Sequence, residues 1–121
     1  MAETTTFELV TPARVMVSRP AGMVVAPGSD GLFGVLPRHA PMISTLDRGV
    51  IEIHDDGNIS ERILIDGGVA DITETSCTIL AERAESLAAD QRQDIETRLA
   101  EAEAAGREAE ADFLKAALAA F

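Results

Sequence analysis

Val50-Ile51-Glu52-Ile53-His54-Asp55-Asp56-Gly57-Asn58 reads as a strand running into a tight turn. Apolar and polar residues alternate through Val50–His54, the period of a half-buried strand. Asp-Gly then tolerates the positive φ values that a two-residue hairpin turn demands. Working outward, the same signal recurs every eight to ten residues over the first two thirds of the chain. Strands are expected at Phe7–Val10, Arg14–Arg19, Gly22–Ala26, Leu32–Val35, Met42–Leu46, Val50–His54, Ser60–Ile65, Val69–Thr73 and Cys77–Ala81. Asp66-Gly67-Gly68 is expected to be a second turn, and His54, at the mouth of the first, a solvated residue. Many short strands with regular turn signals imply a small antiparallel sandwich or barrel.

The pattern changes near Glu85. From residue 86 to 121 there are 12 Ala in 36 residues, and Gly106 is the only glycine. Asp90 and Gln93 have capping-box spacing for a helix start, and Ile95, Leu99 and Ala102 follow on one face. Asp94 with Arg98, and Glu103 with Arg107, are acid-first pairs four apart, which favour helix. Gly106 supplies a left-handed terminator. Two helices are therefore expected, about 90–105 and 108–120, the second carrying Phe113, Leu114, Leu118 and Phe121 as its apolar stripe. The fold class is α+β: an N-terminal β domain over 1–85 and a C-terminal helical hairpin over 86–121. Alanine faces bury little surface, and helices this short are marginal alone in water, so the hairpin must dock on something.

Composition narrows the function. The chain of 121 residues holds 21 Asp plus Glu against 10 Lys plus Arg, a net charge of -11. Such a surface repels phosphate backbones and anionic lipid, excluding nucleic-acid binding and direct lipid adsorption. Lys115 is the only lysine and has no glycine loop before it, so no Walker A nucleotide site exists. Trp and Tyr are absent, leaving little to line a small-ligand cleft. Cys77 is alone and sits in a strand-like alternation, so neither a disulfide nor a Cys-x-x-Cys metal site is possible, and a core thiol is expected. The polar start, Met1–Thr6, lacks the marks of a secretory leader. Ser44, His39 and Asp47 could form a triad on paper, yet no Gly-x-Ser-x-Gly elbow is present. No catalytic residue, metal or cofactor is expected.

Gly28-Ser29-Asp30-Gly31-Leu32-Phe33-Gly34-Val35-Leu36-Pro37-Arg38-His39-Ala40-Pro41 resists a bland explanation. Three glycines at a spacing of three, then Pro37 and Pro41 bracketing His39, specify a rigid, tightly turned loop. The order of glycines is not the dinucleotide fingerprint and no helix follows, so a phosphate cradle is not expected. This block, with Leu46, Gly49-Val50-Ile51, Ile65-Asp66-Gly67-Gly68-Val69-Ala70-Asp71-Ile72 and Cys77-Thr78-Ile79-Leu80-Ala81-Glu82, resembles the epsilon subunit of bacterial F-type ATP synthases, the counterpart of the mitochondrial delta subunit.

The resemblance implies a β-sandwich followed by a helical hairpin, in a rotor subunit without catalytic groups of its own. It implies attachment to the gamma subunit and to the proteolipid ring, on the cytoplasmic side of the bacterial plasma membrane. Ser29, Asp30, Gly31 and His39 become the expected interface residues, with Gly28, Gly34, Pro37, Pro41, Gly67 and Gly68 shaping the loops. Arginines on the ring's loops would suit Asp30. It further implies a hairpin that can lie on the sandwich or extend toward the alpha/beta catalytic head and regulate ATP hydrolysis. Asp94-Ile95-Glu96-Thr97-Arg98-Leu99-Ala100 departs from the family's regulatory ATP motif, so ATP binding is not expected. The alternative is a free-standing sandwich that binds a small ligand under a helical lid, followed by a small hydrolase.

Overall fold

The computed structural model describes residues 3–88 and 91–120. Eight strands precede two helices: β1 (Thr5–Val10), β2 (Val15–Ala21), β3 (Met23–Gly28), β4 (Gly31–Val35), β5 (Met42–Asp55), β6 (Asn58–Ile72), β7 (Ser76–Ala81), β8 (Ala84–Ser86), α1 (Arg92–Ala104) and α2 (Glu108–Ala119). The sheet order is β2-β1-β7-β6-β5-β3-β4, with β8 paired to β6. Neighbours are antiparallel except β1 and β7, which run parallel, Phe7 opposite Cys77. Phe7, Leu9, Val24, Val35, Ile51, Ile53, Ile65, Ile72, Cys77 and Ile79 close on one another in a single sandwich core. Burial lifts the Cys77 thiol to about 11, so it stays protonated, as a core residue should.

Four expected strands fuse into two long ones. Asp66-Gly67-Gly68 is not a turn; it lies inside β6, opposite Leu46 and Arg48 of β5. The reason is legible in the side-chain parity. Ile63 and Ile65 face the core before the glycines, and Ala70 and Ile72 face it after them. An odd-to-even switch needs an irregular residue pair, and Gly67 (φ 78°) with Gly68 (φ 154°) supplies it. A Cβ on Gly68 would stand 2.3 Å from the Leu80 carbonyl oxygen. The strand thus bends without ending, and β5 bends with it.

The turn expected at Asp56-Gly57 is present, with φ of 53° and 81°. Asp55 ties it down, accepting from Ser60 Oγ at 2.6 Å, from the Gly22 amide at 3.1 Å and from Arg19. His54 is not simply solvated: half-buried, its Nε2 pairs with Glu52 at 3.1 Å.

The helices fall close to their expected spans. Asp90, the expected cap, and Phe121 lie outside the described residues, and α1 starts after Gln91 with no side-chain cap bond. Gly106 (φ 71°) breaks the two helices. The hairpin rests on the outer face of β5, β6 and β8. Ile95, Ala102, Ala111, Phe113, Leu114 and Ala117 pack there with Val50, Leu64 and Leu87 in a second apolar cluster. Leu99 and Leu118 are half-buried at its margin.

Two outcomes follow for stability. Gly68→Ala should cost on the order of 3 kcal/mol through strain and backbone clash, lowering Tm by roughly 10 °C in a thermal melt. The Asp55 carboxyl is held below its ordinary 3.8, chiefly by the Ser60 hydroxyl, then by the Gly22 amide and Arg19. Its stabilisation is therefore complete above pH 3.8 and lost as pH falls through the lower folded-state value. In acid melts Asp55→Asn should flatten that fall.

Candidate functional site

The glycine block divides into a hairpin and a connection. Gly28 pairs with Gly31, so Ser29 and Asp30 form the two-residue turn between β3 and β4. Gly31, at φ 124°, takes a conformation that side chains rarely adopt. The turn is fixed to β5: the Ser29 amide donates to the Thr45 carbonyl at 3.1 Å, and its hydroxyl lies 3.0 Å from Thr45 Oγ1 and donates to Asp47 at 3.2 Å. Asp30 is exposed and has no ion pair among the described residues. Gly34 is an ordinary strand position in β4, not part of a loop.

His39 lies apart, in the connection from β4 to β5. Its Nδ1 is 2.7 Å from its neighbour's carbonyl, that of Ala40, and its amide donates to Leu36 at 3.1 Å. Arg38 beside it has φ 67°, donates its amide to Glu74 at 2.9 Å, and pairs with Glu3. Pro37 and Pro41 frame this connection. No hydrogen bond joins His39 to the Ser29 turn among the described residues. The triad possible on paper is not assembled, because the Ser44 hydroxyl donates to Thr45, His39 engages Ala40, and Asp47 accepts from Ser29.

Sequence reading missed a surface that begins at this turn. Thr45 is in register with Val69, Val69 with Leu80, Leu80 with Val10, and Val10 with Val15. Val69, Leu80 and Val15 are 37%, 52% and 55% exposed, so an uncovered apolar row crosses four strands, from β6 to β2. Ile43 of β5, 75% exposed, stands in the adjacent register line opposite Asp71. A shallow groove of about 360 Å³ runs along it between Val10, Pro12, Val69 and Leu80. On the edge strand, Leu32 is also 74% exposed. The available signal was parity: Val69 and Leu80 alternate against the core-facing Ala70 and Ile79. Beside the row, in the next register line, stand Asp71 and Glu8; these two, with Asp30 and Asp47, carry no ion pair among the described residues. An apolar strip with an unneutralised acidic margin suits an apolar partner ridge flanked by cations.

Nothing in the geometry resembles a reaction centre. Among the described residues no three His, Cys, Asp or Glu gather to hold a metal. Five clefts among the described residues are open and lined by no aromatic side chain. No helix among the described residues is long and apolar enough to cross a membrane.

A bent sandwich with one uncovered, acid-rimmed apolar face is the architecture of a docking subunit. Residues 4–87 match the β-sandwich domain of the ATP synthase delta/epsilon chain, and the protein belongs to that family. It is 47% identical over 116 residues to the ATP synthase epsilon chain of Rhodospirillum rubrum, covering 96% of this chain and 87% of that one. It is 53% identical over 89 residues to that of Rhodospirillum centenum, 72% of this chain and 61% of the relative. The fold is similar to a chain in the mitochondrial ATP synthase of Euglena gracilis (OSCP/F1/c-ring), with a TM-score of 0.66, 21% identity, and coverage of 95% and 75%. A central stalk/c-ring structure from Tetrahymena thermophila gives a TM-score of 0.62 at 15% identity, covering 96% and 97%.

The exposed turn and apolar row bear little of the folding energy. Asp30→Ala and Leu80→Ser should each move Tm by less than about 3 °C, whereas Phe7→Ala, which empties the core, should cost about 3–5 kcal/mol.

Proposed function

We propose that this chain is the epsilon-type rotor subunit in the central stalk of a proton-translocating F-type ATP synthase. It couples proton flow through the proteolipid ring to ATP synthesis in the catalytic head, and contributes no catalytic group of its own. The observation that carries this reading is the apolar row from Val69 to Val15, margined by Glu8 and Asp71, which have no ion pair among the described residues, on a family sandwich.

The row is assigned to the gamma subunit, as a surface of this extent needs a permanent apolar partner. The Ser29-Asp30-Gly31 turn and His39 are assigned to the proteolipid ring, where Asp30 would meet cations on the ring's loops. Torque passes through such contacts only if they do not yield. Support comes from the Ser29 turn being pinned to Thr45 and Asp47, and from the His39 connection being pinned to Glu74 through Arg38. Its place is then peripheral, on the cytoplasmic side of the plasma membrane, held by protein contacts.

The domain division follows the two apolar clusters. The sandwich over 1–85 is read as the docking unit and 86–121 as a separable hairpin that regulates hydrolysis by leaving the sandwich for the head. β8 continues to Ser86, and the Leu87 amide still bonds to Arg62 at 2.9 Å, so a truncation should keep both residues.

Copurification of tagged subunit from membranes tests the assignment. Leu80→Asp should abolish recovery of gamma, Asp30→Arg or His39→Ala should lower proton-driven ATP synthesis with gamma still bound, and a chain ending at Leu87 should retain gamma and a β-type circular dichroism spectrum. Gamma recovery unaffected by Leu80→Asp would remove the apolar row from the interface.

A further inference from the structure

Four alternating charges lock the hairpin to the sandwich. Arg83 lies in the short connection between β7 and β8, and its two terminal nitrogens meet both carboxylate oxygens of Glu110 on α2, one of them at 2.8 Å. Arg98 on α1 donates to Glu85 of β8 at 2.5 Å and lies 3.7 Å from Glu110. Arg83, Glu110, Arg98 and Glu85 thus run in sequence from the sandwich through both helices and back to it. The Arg83 guanidinium also stands 4.1 Å from the centroid of the Phe113 ring. Phe113 follows Glu110 by one helical turn, so one side chain pairs the carboxylate and roofs the ring.

Arg98 occupies the middle of the face that α1 turns inward. It lies between Ile95 and Ala102, the only two buried residues of that helix. The centre of the α1 contact is therefore a cation, half-buried, whose charge is offset from β8 and α2. Neither helix has a side-chain cap bond, and at 13 and 12 residues neither would persist alone in water. The hairpin's structure depends on its docking.

We propose that this chain of charges is a clasp, with Glu110 as its hinge-pin, and that the hairpin leaves the sandwich as one unit when the Glu110 charge is removed or screened. Without that charge, Arg83 and Arg98, with side chains 29% and 33% exposed, lose the acid they share. Arg98 keeps Glu85 and the more distant Asp94, with Arg107 near α2 and Glu82 and Arg14 beside Arg83. Losing one partner from a half-buried set leaves the others uncompensated, which disfavours the docked state. A seam held by hydrocarbon alone would be indifferent to moderate salt; this one weakens as salt rises. Opening uncovers Val50, Leu64 and Leu87 on one side and Phe113 and Leu114 on the other, apolar surface that a closed hairpin withholds from any partner.

The clasp is internal to the chain, so its test is independent of the stalk assignment. Hydrogen exchange by mass spectrometry is measured on the full chain for wild type, Glu110→Gln, Arg83→Gln and the double variant, at about 50 mM and about 1 M NaCl. In low salt each single variant should speed exchange across 92–119 at least about ten-fold while β1 and β7 keep their protection. The two substitutions should be less than additive in the double variant, since both remove the Arg83–Glu110 pair. High salt should accelerate the wild-type hairpin and leave Glu110→Gln nearly unchanged. Hairpin protection in Glu110→Gln within about two-fold of wild type, or protection lost equally through the sandwich, would overturn the clasp.

Discussion

The bend in β6 at Gly67 and Gly68 is the constraint on which the rest of the structure depends. A flat pair of strands as long as β5 and β6 would present one face to a core and the other to water along its whole length. Here the core-facing set changes from odd to even across the bend, so Ile63 and Ile65 in one half and Ala70 and Ile72 in the other close on one interior. The same switch fixes what lies outside. Leu64 is turned toward the hairpin, and Val69 is turned toward solvent on the docking face. Both outward surfaces, the seat of the hairpin and the apolar row, are thus set by two residues that add no side chain. The Leu80 carbonyl, which a Cβ on Gly68 would strike, belongs to the neighbouring strand that carries the most central apolar residue of the row.

Much of the fold was legible because local and global preferences agree. The Val50–Gly57 hairpin, the loss of β-branched residues after Glu85 and the break at Gly106 each rest on interactions a few residues apart. What misled was the reading of Asp66-Gly67-Gly68 as a turn: positive φ at successive glycines suits a hairpin and a locally irregular strand alike, and only pairing with β5 decides between them. β8 was missed for a related reason, since Ala84–Ser86 is too short to show alternation and exists because Leu64 and its neighbours offer an edge. The candidate site was half legible. The Ser29 turn and His39 stood out through glycine and proline, whose conformational limits are local. The apolar row is assembled from single residues on four strands, and no window of sequence contains it.

Charge organises what apolar area leaves open. Seven of the ten Lys and Arg side chains are in ion pairs, among them Arg19, Arg38, Arg48, Arg83 and Arg98. Nine of the ten are arginines, whose planar fork can hold two acceptors at once, as Arg83 holds both oxygens of Glu110. Each exposed pair contributes little, about 0–1 kcal/mol. Their larger effect is to leave few free cations. With the arginines engaged at the β5–β6 tip and around the hairpin, Asp30, Asp47, Asp71 and Glu8 beside the apolar row are among the acids with no ion pair among the described residues.

The net charge of -11 is therefore unevenly consequential. Around the hairpin several acids are matched, namely Glu85, Asp94, Glu96, Glu103 and Glu110, and Glu110 is held below its ordinary 4.5 first by Arg83. Along the apolar row they are unmatched, and the face is attractive only to a partner that brings cations with its hydrocarbon. A free copy of the chain would repel another copy at this surface, because two acidic margins would meet. One arrangement of charge thus discourages self-association through the apolar strip and favours a basic partner there, and specificity of that kind arises as much from the excluded pairing as from the permitted one.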